Sequence, residues 1–167
     1  MGKTTLAEAL AEALPEHMLV PEPYRLLEEE GYTFGERPSI EEFEAQLERS
    51  LQCLQAGGAD AVFDRCPLDL VGYLLAHENA AMFDVETWIP RLRAHVPTLD
   101  LIVFLPIERP DRIAVPSSER RLRAAVDTIL RGIVVDDAYG LEVEVIEVAG
   151  VREARLHQVL SRAGIRR

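Results

Sequence analysis

The stretch TLDLIVFLP, residues 98–106, decides the fold. Within its run Leu99 to Leu105, the residues Leu101, Ile102, Val103, Phe104 and Leu105 are apolar without a break, and Asp100 and Pro106 close the segment. A strand covered on one face alternates polar and apolar residues. An unbroken apolar run of this length reads instead as a strand buried on both faces, the kind that lies in a parallel sheet between two layers of helices.

The rest of the chain fits around that strand. TTLAEALAEAL places Leu6, Leu10 and Leu14, with Ala7 and Ala13, on one face of a first helix from Thr4 to Leu14, and Pro15 stops it. Met18 to Val20 reads as a short strand, followed by an acidic helical piece from Tyr24 to Glu30. Ser39 with Glu42 forms a capping box that opens a helix running towards Gln55 and ending at Gly57–Gly58. Ala61 to Asp64 reads as a second buried strand. Leu68 to His77, Glu86 to His95, Ser118 to Val135 and Arg152 to Arg162 read as helices, and Val143 to Val148 alternates as a last strand. Strands alternating with helices, with no repeat or linker, predict a single α/β domain over residues 1–167, with a mostly parallel sheet and helices on both faces.

Composition narrows the function. Among 167 residues 18 are basic and 29 acidic, a formal net charge of −11, and 48% are hydrophobic with only 6% aromatic. Disorder and collagen are excluded. No apolar run approaches the roughly 18 residues that span a bilayer, and MGKTTLAEAL lacks the apolar core and cleavage site of a signal peptide, so the expectation is a soluble cytoplasmic protein. The acidic excess disfavours nucleic acid and anionic membrane as partners. Cys53 and Cys66 are expected as thiols, and the four scattered histidines, His17, His77, His95 and His157, show no zinc spacing. Charge is uneven: Glu22 to Glu48 holds nine Glu, whereas Arg109, Arg112, Arg120, Arg121, Arg123 and Arg131 crowd a later stretch. That cluster reads either as a site for a small phosphorylated ligand or as a solvated helix face.

The first helix opens with Gly2-Lys3-Thr4-Thr5. A phosphate-binding loop reads G-x-x-x-x-G-K-[ST], in which glycines let the backbone wrap phosphates, the Lys meets the β- and γ-phosphates and the hydroxyl holds Mg²⁺. Only the last part of that motif is present. The tripeptide alone is weak; its place at a helix N-terminus, where free N–H groups and the dipole favour an anion, strengthens it. Glu22, at the end of a predicted strand, reads as a carboxylate in the crevice above the sheet or as an exposed turn glutamate. Asp64, ending a buried strand, reads as a metal-holding carboxylate or a helix cap. Arg65 reads as a planar donor to a phosphoryl group or as a surface ion pair, and Asp69 as a structural residue that caps or pairs in the first turn of the next helix. Tyr24, Phe34 and Tyr73 suit an acceptor pocket or plain packing.

With these motifs the sequence resembles the P-loop kinases of small molecules: deoxynucleoside kinases, ribosylnicotinamide kinase domains and uncharacterised bacterial AAA family ATPases. Four segments carry the likeness, in the family's order. GKTTLAEAL is similar to the end of the Walker A loop and first helix, VPEPYRLLEEEGY to the second strand with its Glu-Pro, and VFDRCPLDLVGYLLA to the third strand with Asp-Arg. RPDRI, RLRAAVDTIL and VEVIEVAG together resemble an arginine-bearing lid, the helix after it and the last strand.

The resemblance implies a three-layer P-loop NTPase-type fold lacking its first central strand and the first half of Walker A. It implies ATP- and Mg²⁺-dependent phosphoryl transfer to a small-molecule acceptor, nucleoside-like in kind. On that basis Gly2, Lys3, Thr4, Thr5 and Gly150 are expected at the nucleotide, and Thr4 and Asp64 at the metal. Lys3, Glu22 as general base, Asp64, Arg65 and, from a lid spanning about 108–124, Arg112 are expected in catalysis. The competing expectations are a regulatory ATPase without a small acceptor and an inactive truncated remnant.

Overall fold

The computed structural model describes residues 2–57, 60–107 and 116–164. The elements run α1 (Lys3–Ala13), β1 (Met18–Val20), α2 (Pro23–Glu29), α3 (Ile40–Ala56), β2 (Ala61–Phe63), α4 (Pro67–Ala76), α5 (Ile89–His95), β3 (Ile102–Phe104), α6 (Ser117–Leu130), β4 (Val145–Glu147) and α7 (Arg152–Arg162). The capping box forms as its spacing requires. Ser39 Oγ accepts from the Glu42 N–H at 3.2 Å, and Glu42 returns a carboxylate oxygen to the Ser39 N–H at 2.7 Å. Both satisfy donors that the first turn of α3 would leave bare.

Two helices differ from expectation for local reasons. The helix read from Glu86 to His95 is divided, with a 3₁₀ turn at Val85–Thr87 before α5 begins. Pro90 lacks an N–H, so it fits the opening of a helix and not its interior. The helix read from Ser118 to Val135 holds its α geometry only to Leu130, then widens into a π turn, with the Asp136 N–H reaching the Arg131 carbonyl at 3.1 Å. That wider turn brings Ile133 and Val134 into the core.

The strands lie between two helical layers. On one side Leu6 and Leu10 of α1 and Val159 and Leu160 of α7 pack with Val62, Leu101, Val103, Leu105 and Ile146. On the other, α3, α4 and α6 supply Leu47, Leu51, Leu68, Leu74, Val126 and Leu130 against Phe63, Ile102 and Phe104. Alternate residues of β3 thus face opposite layers, both apolar, which is why its sequence shows no polar alternation.

The strands form two parallel pairs, β1 with β2 and β3 with β4. In β2 the residues bonded to β1 are Asp60, Val62 and Asp64: Met18 N–H donates to Asp60 O, and Asp64 N–H to Val20 O. Backbone groups alternate sides along a strand, so those of Ala61 and Phe63 face away from β1. By the same parity, Ile102 and Phe104 bond to β4 while Leu101, Val103 and Leu105 turn their backbone groups the other way. These two edges border a channel of about 950 Å³, lined by β2, β3 and apolar side chains of α1, α4, α6 and α7.

Candidate functional site

Lys3, Asp64, Arg65 and Asp69 line one region of this channel. They are brought there by the starts of two helices and the end of a strand. Lys3 opens α1, Asp64 and Arg65 directly follow β2, and Asp69 lies in the first turn of α4, which Pro67 begins. Glu22 follows β1 by two residues and caps α2, whose first residue is Pro23. Neighbouring parallel strands therefore deliver Glu22 and Asp64 to the same end of the sheet, where ligands of open α/β sheets bind.

Ion pairs join the residues. The Lys3 ammonium lies 3.0 Å from Oδ1 and 3.2 Å from Oδ2 of Asp69. Arg65 donates from Nη1 to Asp69 Oδ2 at 2.6 Å and from Nε to Glu22 Oε2 at 2.7 Å, and its guanidinium stands 5.7 Å from the centroid of the Tyr73 ring. The Asp69 side chain is 9% exposed. Burial alone would raise its carboxyl, but Lys3 and Arg65 outweigh burial and hold it below the usual aspartate value. Burial also disfavours the charge on Arg65, and Asp69 and Glu22 overcome it, raising the guanidinium above its ordinary value. Arg65 has a φ of 89°, a left-handed conformation that costs a side-chain-bearing residue about 1–2 kcal/mol. Two carboxylates on different elements stabilise it there.

Asp64 behaves differently. It is buried, and burial raises its carboxyl above the usual value, with Glu22 adding to the rise. A hydrogen bond with the Thr4 side chain and the charges of Arg65 and Lys3 pull the other way. A carboxylate beside a hydroxyl is a hard-oxygen pair of the type Mg²⁺ takes when phosphate oxygens and water complete its shell. Among the described residues, no group of three or more His, Cys, Asp or Glu is placed to hold a metal ion by itself.

Of the residues read from the sequence, the structure brings together Lys3, Thr4, Glu22, Asp64 and Arg65. Gly2 caps α1 with a φ of 84°, and a Cβ there would lie 3.4 Å from Arg155 Nη1. Thr5 is exposed on α1. Gly150 turns the chain from β4 into α7 with a φ of 95° and is not among the described residues lining the channel. Arg109 and Arg112 lie outside the described residues, as does the first part of the expected lid. Of its remaining arginines, Arg120 and Arg121 are exposed, whereas Arg123 is buried and lines the channel.

Tyr24 stacks on Phe34 at 4.3 Å and Phe43 on Tyr73 at 5.5 Å, and of these four Tyr73 joins the channel wall. Both cysteines are free. Asp69, expected to cap or pair in the first turn of the next helix, pairs there with both Lys3 and Arg65. The Arg65–Asp69 spacing across the start of α4 was its available signal.

Parallel strands, a helix N-terminus bearing Gly-Lys-Thr and a carboxylate at the adjacent strand end are features shared with the P-loop class of nucleotide-binding proteins. A family model described as an AAA domain matches residues 1–155, and the chain belongs to that family. No curated protein and no solved structure matches the chain. No described helix is long and apolar enough to cross a membrane.

Proposed function

We propose that this AAA-family nucleotide-binding domain is an ATP-dependent phosphotransferase acting on a small, hydroxyl-bearing, nucleoside-like metabolite. The observation that carries this reading is the pairing of Glu22 with Arg65 at the strand end beside Asp64. That pair sits next to the phosphate lysine, where a carboxylate can take the proton of an acceptor hydroxyl and a planar cation can meet the transferred phosphoryl group.

In this reading Lys3 contacts the β- and γ-phosphates, with Gly2, Thr4 and Thr5 beside it and Gly150 near the base. Thr4 and Asp64 hold Mg²⁺, which when bound offsets phosphate charge. Glu22 takes the proton of the acceptor hydroxyl as its oxygen bonds to the γ-phosphorus. The bond from that phosphorus to the bridging oxygen breaks, and ADP leaves with the electron pair. Arg65 faces the transferred group, and Arg112 and Arg123 are the lid-side cations offered to it. We further propose that the nucleotide-binding form seats one more strand between β2 and β3, completing the sheet and the loop that wraps the phosphates; the bare edges along the channel support this.

The test is a product assay with Mg·ATP and a panel of nucleosides and related ribosides. The reading expects ADP and a phosphorylated acceptor in equal amounts, and a loss of roughly 2–4 kcal/mol of transition-state stabilisation in Lys3→Ala. The AAA-domain match also supports a second reading, an ATPase whose acceptor is water. That reading expects ADP and inorganic phosphate whatever acceptor is added.

A further inference from the structure

The groups at the end of β2 form a chain of alternating charge: Lys3, Asp69, Arg65, Glu22. Its ends have different duties in the proposed reaction, Lys3 on the nucleotide and Glu22 on the acceptor. Its middle is peculiar in one respect. Lys3 and Arg65 both bond to the same oxygen, Asp69 Oδ2, at 3.2 and 2.6 Å. Two cations held this close repel unless a buried anion lies between them, and Asp69 is that anion. The same contact helps keep Arg65 in its left-handed conformation, which directs the guanidinium at Glu22.

We infer that Asp69 is a positioning residue that yokes the nucleotide-side Lys3 to the acceptor-side Arg65–Glu22 pair, so that a phosphate drawing Lys3 away changes how Arg65 is held. The inference rests on the nucleotide reading of Lys3. With Lys3 on Asp69, the carboxylate divides its hydrogen bonding between two cations. When Lys3 turns to a polyphosphate, Asp69 is left to Arg65 alone, the Arg65–Asp69 bond strengthens, and Arg65 is held more firmly beside Glu22 as the acceptor arrives. A residue that merely braced α4 against β2 would hold the fold together without transmitting anything from Lys3 to Arg65.

The Arg65 Nε–H, which donates to Glu22, offers a spectroscopic reporter in ¹⁵N-labelled protein. In the wild type, Mg·ATP is expected to shift this resonance, and Lys3→Ala without nucleotide is expected to shift it in the same direction. In Asp69→Asn, Mg·ATP should leave it unmoved, and Mg·ATP affinity measured by calorimetry should rise about tenfold, because Lys3 no longer has to leave a carboxylate to reach the phosphates. An Arg65 resonance indifferent to Lys3→Ala overturns the inference, and this measurement does not depend on whether Asp69→Asn folds. So does an Asp69→Asn protein that binds Mg·ATP as the wild type does and keeps the nucleotide-induced shift. The nucleotide reading fails separately, if Lys3→Ala leaves Mg·ATP affinity unchanged; the response of Arg65 to Lys3→Ala would still report whether the yoke exists.

Discussion

Gly72 of α4 meets Leu130 of α6 so closely that a Cβ added to the glycine would stand 2.9 Å from Leu130 Cγ and 3.0 Å from its Cδ2. The two helices touch where the side chain is missing, and both wall the channel. Gly72→Ala sets two effects against each other. Alanine favours the helix by about 1 kcal/mol, whereas overpacking a buried contact costs about 1–3 kcal/mol. Leu130 is itself buried and has little room to turn. The expected outcome is a net loss of about 1 kcal/mol in denaturant unfolding; in a Leu130→Ala background, which itself costs about 2–5 kcal/mol, the same glycine substitution should cost nothing or stabilise. A Gly72→Ala protein more stable than the wild type would contradict this packing.

Asp64→Asn and Glu22→Gln should separate the metal from the base. Because burial opposes the charge on Asp64, an amide of the same size relieves that opposition, and the fold should keep its unfolding midpoint within a few degrees. The Mg²⁺ concentration needed for half-maximal turnover should rise by at least about tenfold. Glu22→Gln should lower turnover by about 10²–10⁴ while leaving Mg·ATP affinity nearly unchanged. If Glu22→Gln phosphorylates its acceptor at the wild-type rate, the general base is another group.

Why the sequence revealed some of this and not the rest is a matter of range. The Ser39–Glu42 cap, the Gly57 stop of α3 and the Pro67 start of α4 are local devices, complete within a few residues, and the structure builds them where the sequence places them. The two-sided burial of β3 was legible because both helical layers leave the same apolar demand on consecutive residues. The extent of its ladder was not. Leu101 and Leu105 satisfy the same pattern as Ile102, but only Ile102–Phe104 pair with β4, and pairing depends on a partner some forty residues away. In the site, the spacing between Arg65 and Asp69 was visible in the chain. That Lys3 closes on the same carboxylate depends on α1 packing over the end of β2, which no local pattern encodes.

Cys66 should be chemically quiet in the folded protein. Burial pushes its thiol up to about 12, with Asp69 adding to the rise and a backbone hydrogen bond at Leu68 opposing it. A raised thiol pKa means less thiolate at a given pH, and thiolate is the reacting species. At pH 8 the thiolate fraction falls about 10³-fold below that of an unperturbed thiol with a pKa of ~8.5. Alkylation of Cys66 at pH 8 should be slower than for free cysteine by about that factor and rise roughly tenfold per pH unit up to pH 10. Denaturant should restore the free-thiol rate. Peptide mass spectrometry after timed iodoacetamide treatment reads this directly, and a Cys66 that alkylates at the free-thiol rate in native protein at pH 8 would contradict the raised thiol.

The channel between β2 and β3 yields the most demanding prediction. Ala61 and Phe63 on one side, and Leu101, Val103 and Leu105 on the other, turn backbone N–H and C=O groups towards it. Among the described residues neither edge has a backbone partner, and one extended segment could pair with both. Its side chains would meet Leu6 and Leu10 of α1 on one face and Leu68, Val126 and Leu130 on the other, so it should be apolar throughout. About five added ladder bonds at roughly 1 kcal/mol net each are comparable with the low end of a domain's whole stability of about 5–15 kcal/mol. The test fuses an apolar five-residue strand and a glycine-rich loop ahead of Gly2, and compares it with the same fusion carrying proline at the strand's centre, which removes a donor and breaks the ladder. The apolar fusion should raise the thermal midpoint by about 10–20 °C and tighten Mg·ATP binding, because the loop then places backbone N–H groups around the phosphates. The proline fusion should do neither. Equal midpoints and equal affinities for the two fusions would mean that the channel does not accept a strand, and that the sheet functions in two halves.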